Sequence, residues 1–265
     1  MEKLYKGMSS HEVKEAERFD RTVRSLYSKP SDLIVEPVHW EKFNNKKFIH
    51  QPYAFVIQSM GDLTGKKVLE MGCGTGIFSL ILVKRGAVLV DAFDISMESI
   101  KIAHARAQVN NVEQKINFRA ISVYDINYLN DDYDFIVGMN ILHHIDIEKI
   151  VEKIFMLLKP GGEAYFLEPF GNVRWFEKLR LMIPVKVNEE DKSHWQGKLK
   201  YKDVEKFKVF FNNVEGKEFH LFSRLDRVVR SSKLINFIAR CDEWVLKEVP
   251  YMRRYARKIV ISLRK

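Results

Sequence analysis

The chain has 265 residues, which suits one large domain or a domain with an inserted cap, and 46% of them are hydrophobic. No apolar run approaches the ~18–20 residues that a membrane span needs, and the charged stretch from Met1 to Asp20 does not resemble a secretory signal. Two cysteines, Cys73 and Cys241, indicate a reducing compartment, so we predict a cytoplasmic protein. The histidines lack metal-ligand spacing, and no metal site is predicted.

The net charge of +9 is concentrated in the last third of the chain. Residues 1–169 carry 21 basic and 23 acidic side chains, whereas residues 170–265 carry 23 and 12. Such asymmetry is typical of proteins that meet an anionic substrate, a membrane surface or a nucleic acid, although a solvated basic face explains it equally well.

Hydrophobic periodicity predicts helices over residues 9–27 and 48–60, with a loop between them. Strands then alternate with helices. The strands are Lys67–Met71, Val88–Ile95, Ile116–Ile121, Tyr133–Met139 and Glu163–Glu168, and the helices are Thr75–Arg85, Met97–Asn110 and Asp146–Leu158. This alternation predicts a doubly wound α/β fold with a mostly parallel sheet.

The pattern changes after Pro169. Helices are predicted over Val173–Ile183, Lys202–Phe211 and Leu234–Lys247, and strands over Val214–Phe222 and Ala256–Leu263, which would complete a seven-stranded sheet. We therefore predict four parts: a helical N-terminal cap (1–60), an α/β core (61–170), a lid or insertion after the fifth strand (171–212) and a C-terminal part that completes the sheet (213–265).

The most informative stretch runs from Val68 to Gly76, where a buried strand leads into glycines at alternate positions and then a helix. Glycine tolerates positive φ and lets a ligand approach the backbone closely. The third glycine comes one residue too early for a dinucleotide fingerprint, and the Lys-Ser/Thr of a phosphate-binding loop is absent. This spacing, with Glu70 two residues before Gly72, resembles motif one of class I S-adenosylmethionine-dependent methyltransferases. The string Leu142-His143-His144, followed by a helix and Leu-Lys-Pro-Gly-Gly, is also familiar in that family.

The resemblance implies a Rossmann-like fold and S-adenosyl-L-methionine as cofactor. Asp94, at the end of the second strand, would accept the ribose hydroxyls, with Asp91 as its rival. Many relatives have an acid just after the third strand, near the adenine amino group, but Ser122 stands there in this chain. Asp125 or a backbone group is then the substitute. The predicted cofactor-binding residues are Glu70, Gly72, Cys73, Gly74, Gly76, Asp94, Ile95, Ser122, Val123 and Asn140.

Candidate catalytic bases are His143, His144, Glu168 and His194. Adjacent side chains point in different directions, so at most one of His143 and His144 is expected to face the acceptor. The alternative for that pair is a buried histidine bonded to loop backbone, and for Glu168 a loop contact. An alcohol or phenol acceptor benefits from a base, whereas a carboxylate does not.

We predict O-methylation of a small molecule, lipid or glycan precursor, with an anionic group on the acceptor as one expectation. The alternatives are an RNA or protein methyltransferase and a non-catalytic module that binds S-adenosylmethionine. The Asn/Asp-Pro-Pro-aromatic motif of enzymes that methylate nucleic-acid bases is absent after the fourth strand, which argues against such bases. The basic, amphipathic segment 174–183 predicts a helix that packs on the domain, or alternatively a lid over the acceptor or a contact with a membrane surface.

Overall fold

The computed structural model of the chain describes residues 8–26, 33–35, 51–128, 132–173, 197–222 and 231–265. The helices are α1 (Ser10–Leu26), α2 (Gln51–Met60), α3 (Ile77–Lys84), α4 (Met97–Val109), α5 (Ile147–Leu157), α6 (Tyr201–Glu205) and α7 (Ser232–Glu248). The strands are β1 (Lys67–Met71), β2 (Leu89–Asp94), β3 (Ile116–Ala120), β4 (Tyr133–Met139), β5 (Leu158–Pro169), β6 (Asn213–Phe219) and β7 (Lys258–Arg264).

The seven strands form one sheet in the order β3-β2-β1-β4-β5-β7-β6. Strands β1 to β5 pair in parallel, and β7 lies antiparallel between β5 and β6. The predicted doubly wound, mostly parallel, seven-stranded sheet is confirmed. Because the chain leaves β1 toward β2 on one side and returns to β4 on the other, the strand order reverses at the carboxyl end of β1. In open α/β sheets such a switch point forms the ligand crevice.

Two apolar layers cover the faces of the sheet, as alternation along the strands requires. In β1, Val68 belongs to the layer packed on α2, α3 and α4, whereas its neighbour Leu69 belongs to the layer packed on α5. Both side chains are fully buried. The sheet therefore provides a rigid base for the loops at the strand ends.

Most predicted elements agree with the structure to within three residues at each boundary, but two differ more. Strand β5 begins at Leu158 instead of Glu163, because Leu158 already pairs with Tyr133 of β4 and Gly162 accepts a hydrogen bond from the nitrogen of Lys265. The single helix predicted over residues 202–211 is instead α6 followed by a 3-10 turn, Lys206–Val209.

The 3-10 turn after α6 packs on the sheet, since Phe207 is buried and its ring lies 6.2 Å from that of Phe166 in β5. Residues 174–196 of the predicted lid, which include the predicted helix after Val173 and His194, lie outside the described residues. None of the helices in the described ranges is long and apolar enough to cross a membrane.

Candidate active site

The glycine loop after β1 adopts the backbone that its sequence predicts. Gly72, Gly74 and Gly76 have φ values of 68°, 50° and 78°, all in the left-handed region. A Cβ at Gly74 would meet nothing within 4 Å, whereas one at Gly72 would lie 2.8 Å from Cδ1 of Ile141. Gly74 therefore faces open space, and Gly72 is needed for close packing against the loop after β4.

Asp94, at the end of β2, is the carboxylate that meets this loop. Its Oδ2 accepts a 2.8 Å hydrogen bond from the nitrogen of Gly74, and its Oδ1 accepts one of 2.9 Å from Ser96. Burial raises the pKa of Asp94, and the backbone hydrogen bonds act in the opposite direction. The rival Asp91 is bonded elsewhere, to Asn117 at 2.9 Å and to the hydroxyl of Tyr133 at 2.7 Å. Asp94 is thus the acid that the fold presents at the crevice.

A cavity of about 900 Å³ opens at the switch point. Ligand pockets typically have ~300–1,000 Å³, so this one has room for a nucleoside and a second small molecule. The residues that line it are Ser9, His11, Glu12, Glu15, Arg18, Phe19, Thr22, Gly72, Gly74, Phe93, Asp94, Ile95, Ser99, Ile121, Val123, Tyr124, Met139, Asn140, Ile141, His144, Ile145, Lys149 and Lys153. This lining combines strand-end backbone with side chains from α1 and α5.

The ten predicted cofactor residues divide into two groups. Those that line the cavity are Gly72, Gly74, Asp94, Ile95, Val123 and Asn140. The other four, Glu70, Cys73, Gly76 and Ser122, are not part of its lining. A Cβ at Gly76 would lie 2.9 Å from the Phe118 ring, so this glycine is required by packing of the loop on α4 and β3.

Glu70 and Cys73 lie beneath the loop. The carboxylate of Glu70 accepts a hydrogen bond from the Ser79 hydroxyl, and burial raises the pKa of Glu70 to about 8. Burial also raises the pKa of the Cys73 thiol, which makes it a poor nucleophile. Both residues support the loop from within the core.

Asn140 follows β4 with a φ of 60°, a value that asparagine tolerates better than most residues. Its nitrogen donates to the carbonyl of Leu167 at 2.8 Å, and its Oδ1 accepts from Nζ of Lys258 at 2.6 Å. These bonds fix the start of the loop that carries the two adjacent histidines.

His143 and Glu168 form a buried pair outside the lining of the cavity. Nδ1 of His143 lies 2.7 Å from Oε2 of Glu168, and these side chains are only 2% and 0% exposed. Oε1 of Glu168 accepts hydrogen bonds of 2.8 Å from the nitrogens of both Ile141 and Leu142. Glu168 thus makes the loop contact given as its alternative, and His143 is buried with the Glu168 carboxylate as a partner.

His144, whose ring centroid lies 3.9 Å from that of His143, lines the cavity. Its Nδ1 lies 3.0 Å from Oε2 of Glu15 on α1, and the Phe19 ring packs edge-on against it at 5.9 Å. The hydrogen bond from His144 is the largest of the influences that lower the pKa of Glu15. A carboxylate that binds one ring nitrogen leaves the other to exchange a proton.

Sequence reasoning missed the polar face of α1. The helix itself was predicted, but Glu12, Glu15 and Arg18 were not recognised as lining residues. Their spacing of three residues puts them on one side of the helix, which was the available signal.

Asp20 attaches α1 to the start of α4. Its Oδ1 accepts hydrogen bonds from Ser96 Oγ at 2.6 Å and from the nitrogen of Glu98 at 3.1 Å.

Three cations line the cavity on its α1 and α5 sides: Arg18, Lys149 and Lys153. The two lysines are four residues apart on α5 and so share a face. Lys149 lies 3.7 Å from Asp146, and Lys153 donates to the backbone carbonyl of Tyr124. Within the described ranges, no group of three His, Cys, Asp or Glu residues is arranged to hold a metal ion.

Comparison with known families identifies the centre of the chain. Residues 68–162 match the family model described as a methyltransferase domain. This region is a methyltransferase domain. It contains the glycine loop, Asp94 and the two histidines, so the resemblance to class I S-adenosylmethionine-dependent methyltransferases is confirmed.

A curated relative of the methyltransferase domain is the ubiquinone biosynthesis O-methyltransferase of Neisseria meningitidis, 33% identical over 132 residues. The match covers 48% of this chain and 55% of the relative, so the chain spans about half the length of the curated relatives it matches.

Two solved structures share the fold of nearly the whole chain. Phosphoethanolamine N-methyltransferase 2 of Haemonchus contortus, in complex with S-adenosyl-L-methionine, is 17% identical with a TM-score of 0.60, covering 98% of this chain and 61% of that one. Geranyl diphosphate C-methyltransferase of Streptomyces coelicolor is 12% identical with a TM-score of 0.62, covering 97% and 98%. The names of the three proteins state methylation of oxygen, nitrogen and carbon, so the fold does not determine the acceptor atom.

Proposed function

We propose that the chain is an S-adenosylmethionine-dependent methyltransferase that methylates an oxygen of a small molecule or of a lipid or glycan precursor. The observation that carries the proposal is a single cavity with two chemically distinct ends. The glycine loop and Asp94 form the part of the lining that we call the cofactor end, and His144 with Glu15 forms the part that we call the acceptor end.

The first end fits a nucleoside. Gly74 leaves its Cβ position open, so a ligand can approach the backbone there. Each carboxylate oxygen accepts about two hydrogen bonds, so Asp94 can accept the ribose hydroxyls in addition to Gly74 and Ser96. The methyl group of the bound cofactor is already activated by its sulfonium, so the protein's work is to align the acceptor and exclude water.

The second end fits a general base. With Nδ1 of His144 held by Glu15, Nε2 is the nitrogen that takes the proton of an acceptor hydroxyl as the oxygen attacks the methyl carbon. A new C–O bond forms, and the C–S bond breaks with its electron pair left on sulfur. His143 and Glu168 act through the loop after β4, as positioning residues that aim His144.

The lining also suggests the class of acceptor. Phe19, Ile141 and Ile145 suit an apolar body, and Arg18 with the two α5 lysines suits a carboxylate or phosphate. The acceptors in the names of the relatives, ubiquinone biosynthesis intermediates, phosphoethanolamine and geranyl diphosphate, are compatible with such a small acceptor. We therefore propose an anionic small molecule with an apolar portion as the acceptor, and not a nucleic-acid base.

Several predictions from the sequence remain proposals. They are the cytoplasmic location, the division into four parts, the catalytic role of His194 and the peripheral membrane contact through the basic C-terminal third. Support for the last is that Phe237 and Trp244 of α7 are each 62% exposed beside the cations Lys233, Arg240 and Lys247.

The test has two stages. Calorimetry with S-adenosylhomocysteine measures binding to the wild type and to Asp94→Ala, for which we expect a loss of affinity of about tenfold or more because charge-assisted hydrogen bonds to ribose disappear. The wild type is then incubated with S-adenosylmethionine and a panel of anionic phenols, alcohols, carboxylates and amines, and products one methylene heavier are detected by mass spectrometry.

Each stage can contradict the proposal separately. If the wild type did not bind S-adenosylhomocysteine at millimolar concentration, the proposed cofactor would be refuted. Binding without any methylated product across the panel would favour the non-catalytic module, and products formed only from amines would overturn the oxygen acceptor.

A further inference from the structure

The family resemblance implies an acid just after β3, near the adenine amino group, but this chain has none there. Ser122 stands just after β3, where a carboxylate was expected, and it is only 2% exposed. Its hydroxyl donates to Oε1 of Glu12, which lies 110 residues earlier in α1. Ser122 is not part of the cavity lining, whereas Glu12 is. The carboxylate at this end therefore comes from α1.

Hydrogen bonds from Ser9 and Ser122 fix the position of the Glu12 carboxylate. Ser9 and Glu12 form a reciprocal cap at the start of α1: the nitrogen and hydroxyl of Ser9 donate to Oε2 at 2.9 and 2.8 Å, and the nitrogen of Glu12 donates to the Ser9 hydroxyl at 3.3 Å. Burial raises the pKa of Glu12, but the bonds from Ser122 and Ser9 outweigh it and hold this pKa below its ordinary value. The side chain is thus a fixed, ionised acceptor, and Oε1 can accept a second hydrogen bond.

The surroundings of Glu12 suit a flat heterocycle. Ile95, Ile121 and Val123, from the ends of β2 and β3, line the same cavity. Asp94, directly before Ile95, is the acceptor for the ribose. Of the acids that line the cavity in the described ranges, Asp94 is engaged by the glycine loop and Glu15 by His144, so Glu12 is the acid that faces the β3 end.

We propose that Glu12 recognises the exocyclic amino group of the adenine and so replaces the missing acid at position 122. This inference rests on the proposed function and deepens it. Neither Asp125 nor a backbone group, the two substitutes considered from the sequence, is then needed for that contact. Asp125 is also absent from the cavity lining.

The placement on α1 has a further consequence. Glu12 and Glu15 lie three residues apart on one helix, and Glu15 binds His144. One helix of 17 residues therefore brings both the proposed nucleobase contact and the partner of the proposed base to the same cavity.

The test changes the ligand as well as the protein. S-inosylhomocysteine has a carbonyl oxygen where S-adenosylhomocysteine has an amino group, so it would face Glu12 with an acceptor. We expect wild-type protein to bind the adenosyl compound at least ~10-fold more tightly, the discrimination of one charge-assisted hydrogen bond. Glu12→Gln keeps the helix cap, since glutamine serves at that position, and its amide can donate to the carbonyl oxygen. We expect the preference to vanish or reverse.

Glu17→Gln is the matched control, because Glu17 is an exposed glutamate of the same helix. It should retain the wild-type preference. Equal affinity of the wild type for the two ligands would refute the role of Glu12 and leave the proposed function intact. This measurement does not depend on the folding of any variant. Unchanged discrimination in Glu12→Gln would also refute that role. If wild-type protein bound neither ligand, the proposed function itself would fail.

Discussion

The two ends of the cavity are built in different ways. The cofactor end consists mainly of backbone, the left-handed glycines after β1, with Asp94 on the neighbouring strand and the proposed adenine contact, Glu12, on α1. The acceptor end consists of side chains, chiefly from α1 and α5, that meet across long separations in the chain. The glycine loop and Asp94 lie within the matched methyltransferase domain, residues 68–162, whereas α1 lies before it.

This difference explains why family resemblance identifies the cofactor and leaves the acceptor open. A loop that cradles a ligand by its backbone needs a fixed glycine spacing, which persists while the surrounding residues change. A pocket formed by side chains of a separate helix changes with every substitution on that helix. The same core can therefore serve acceptors of different chemistry.

The largest expected effect comes from filling the cofactor end. Gly74→Val places a side chain in the open space of the cavity, and we expect loss of S-adenosylhomocysteine binding by at least ~100-fold in calorimetry. Gly65→Val is the matched control: Gly65 also has a positive φ, 72°, and open space at its Cβ position, but it lies in the turn before β1. Both variants carry the same backbone strain, so a similar loss of affinity in both would refute a cofactor site at Gly74.

The sequence predicted that the glycine loop and Asp94 lie together, because the signals for this arrangement are local. The spacing of Gly72, Gly74 and Asp94 follows from a strand, a turn and the next strand end, all within a short stretch. It could not predict Glu15 beside His144 or Glu12 beside Ser122, because such pairs depend on how α1 docks on the finished sheet. From the sequence, either His143 or His144 could face the acceptor. In the structure His143 is buried beside Glu168, whereas His144 lines the cavity beside Glu15.

The second prediction concerns the acceptor end and the proposed base. His144→Gln should lower kcat by about 100-fold with a hydroxyl acceptor, since general-base catalysis contributes ~10²–10⁴. S-adenosylhomocysteine affinity should stay within about twofold, because the cofactor end is unchanged. The acidic limb of the pH–kcat profile should disappear, which loss of packing alone would not cause.

Two variants sharpen this comparison. Glu15→Gln should lower kcat less than His144→Gln, as expected for a residue that positions the base. His104→Gln makes the same change as His144→Gln on the exposed side of α4 and should leave kcat unaffected. If His144→Gln kept a wild-type pH profile, His144 would be a lining residue and not the base.

The last prediction concerns the support beneath the glycine loop, outside the lining of the cavity. Burial raises the pKa of Glu70 from 4.5 to about 8, so the folded state retains a proton that the unfolded state has lost over that interval. Stability from this group is therefore fully present below pH 4.5 and is lost as the pH rises through about 8.

Glu70→Gln is permanently neutral and keeps an acceptor for Ser79, so its stability should not fall in this way. Denaturant unfolding at about pH 5, 6.5 and 8 should show the wild type losing on the order of 2–4 kcal/mol relative to Glu70→Gln. Glu17→Gln, at an exposed position, should parallel the wild type. Parallel curves for Glu70→Gln and the wild type would mean that Glu70 titrates normally and that the loop is not supported by a neutral carboxyl group.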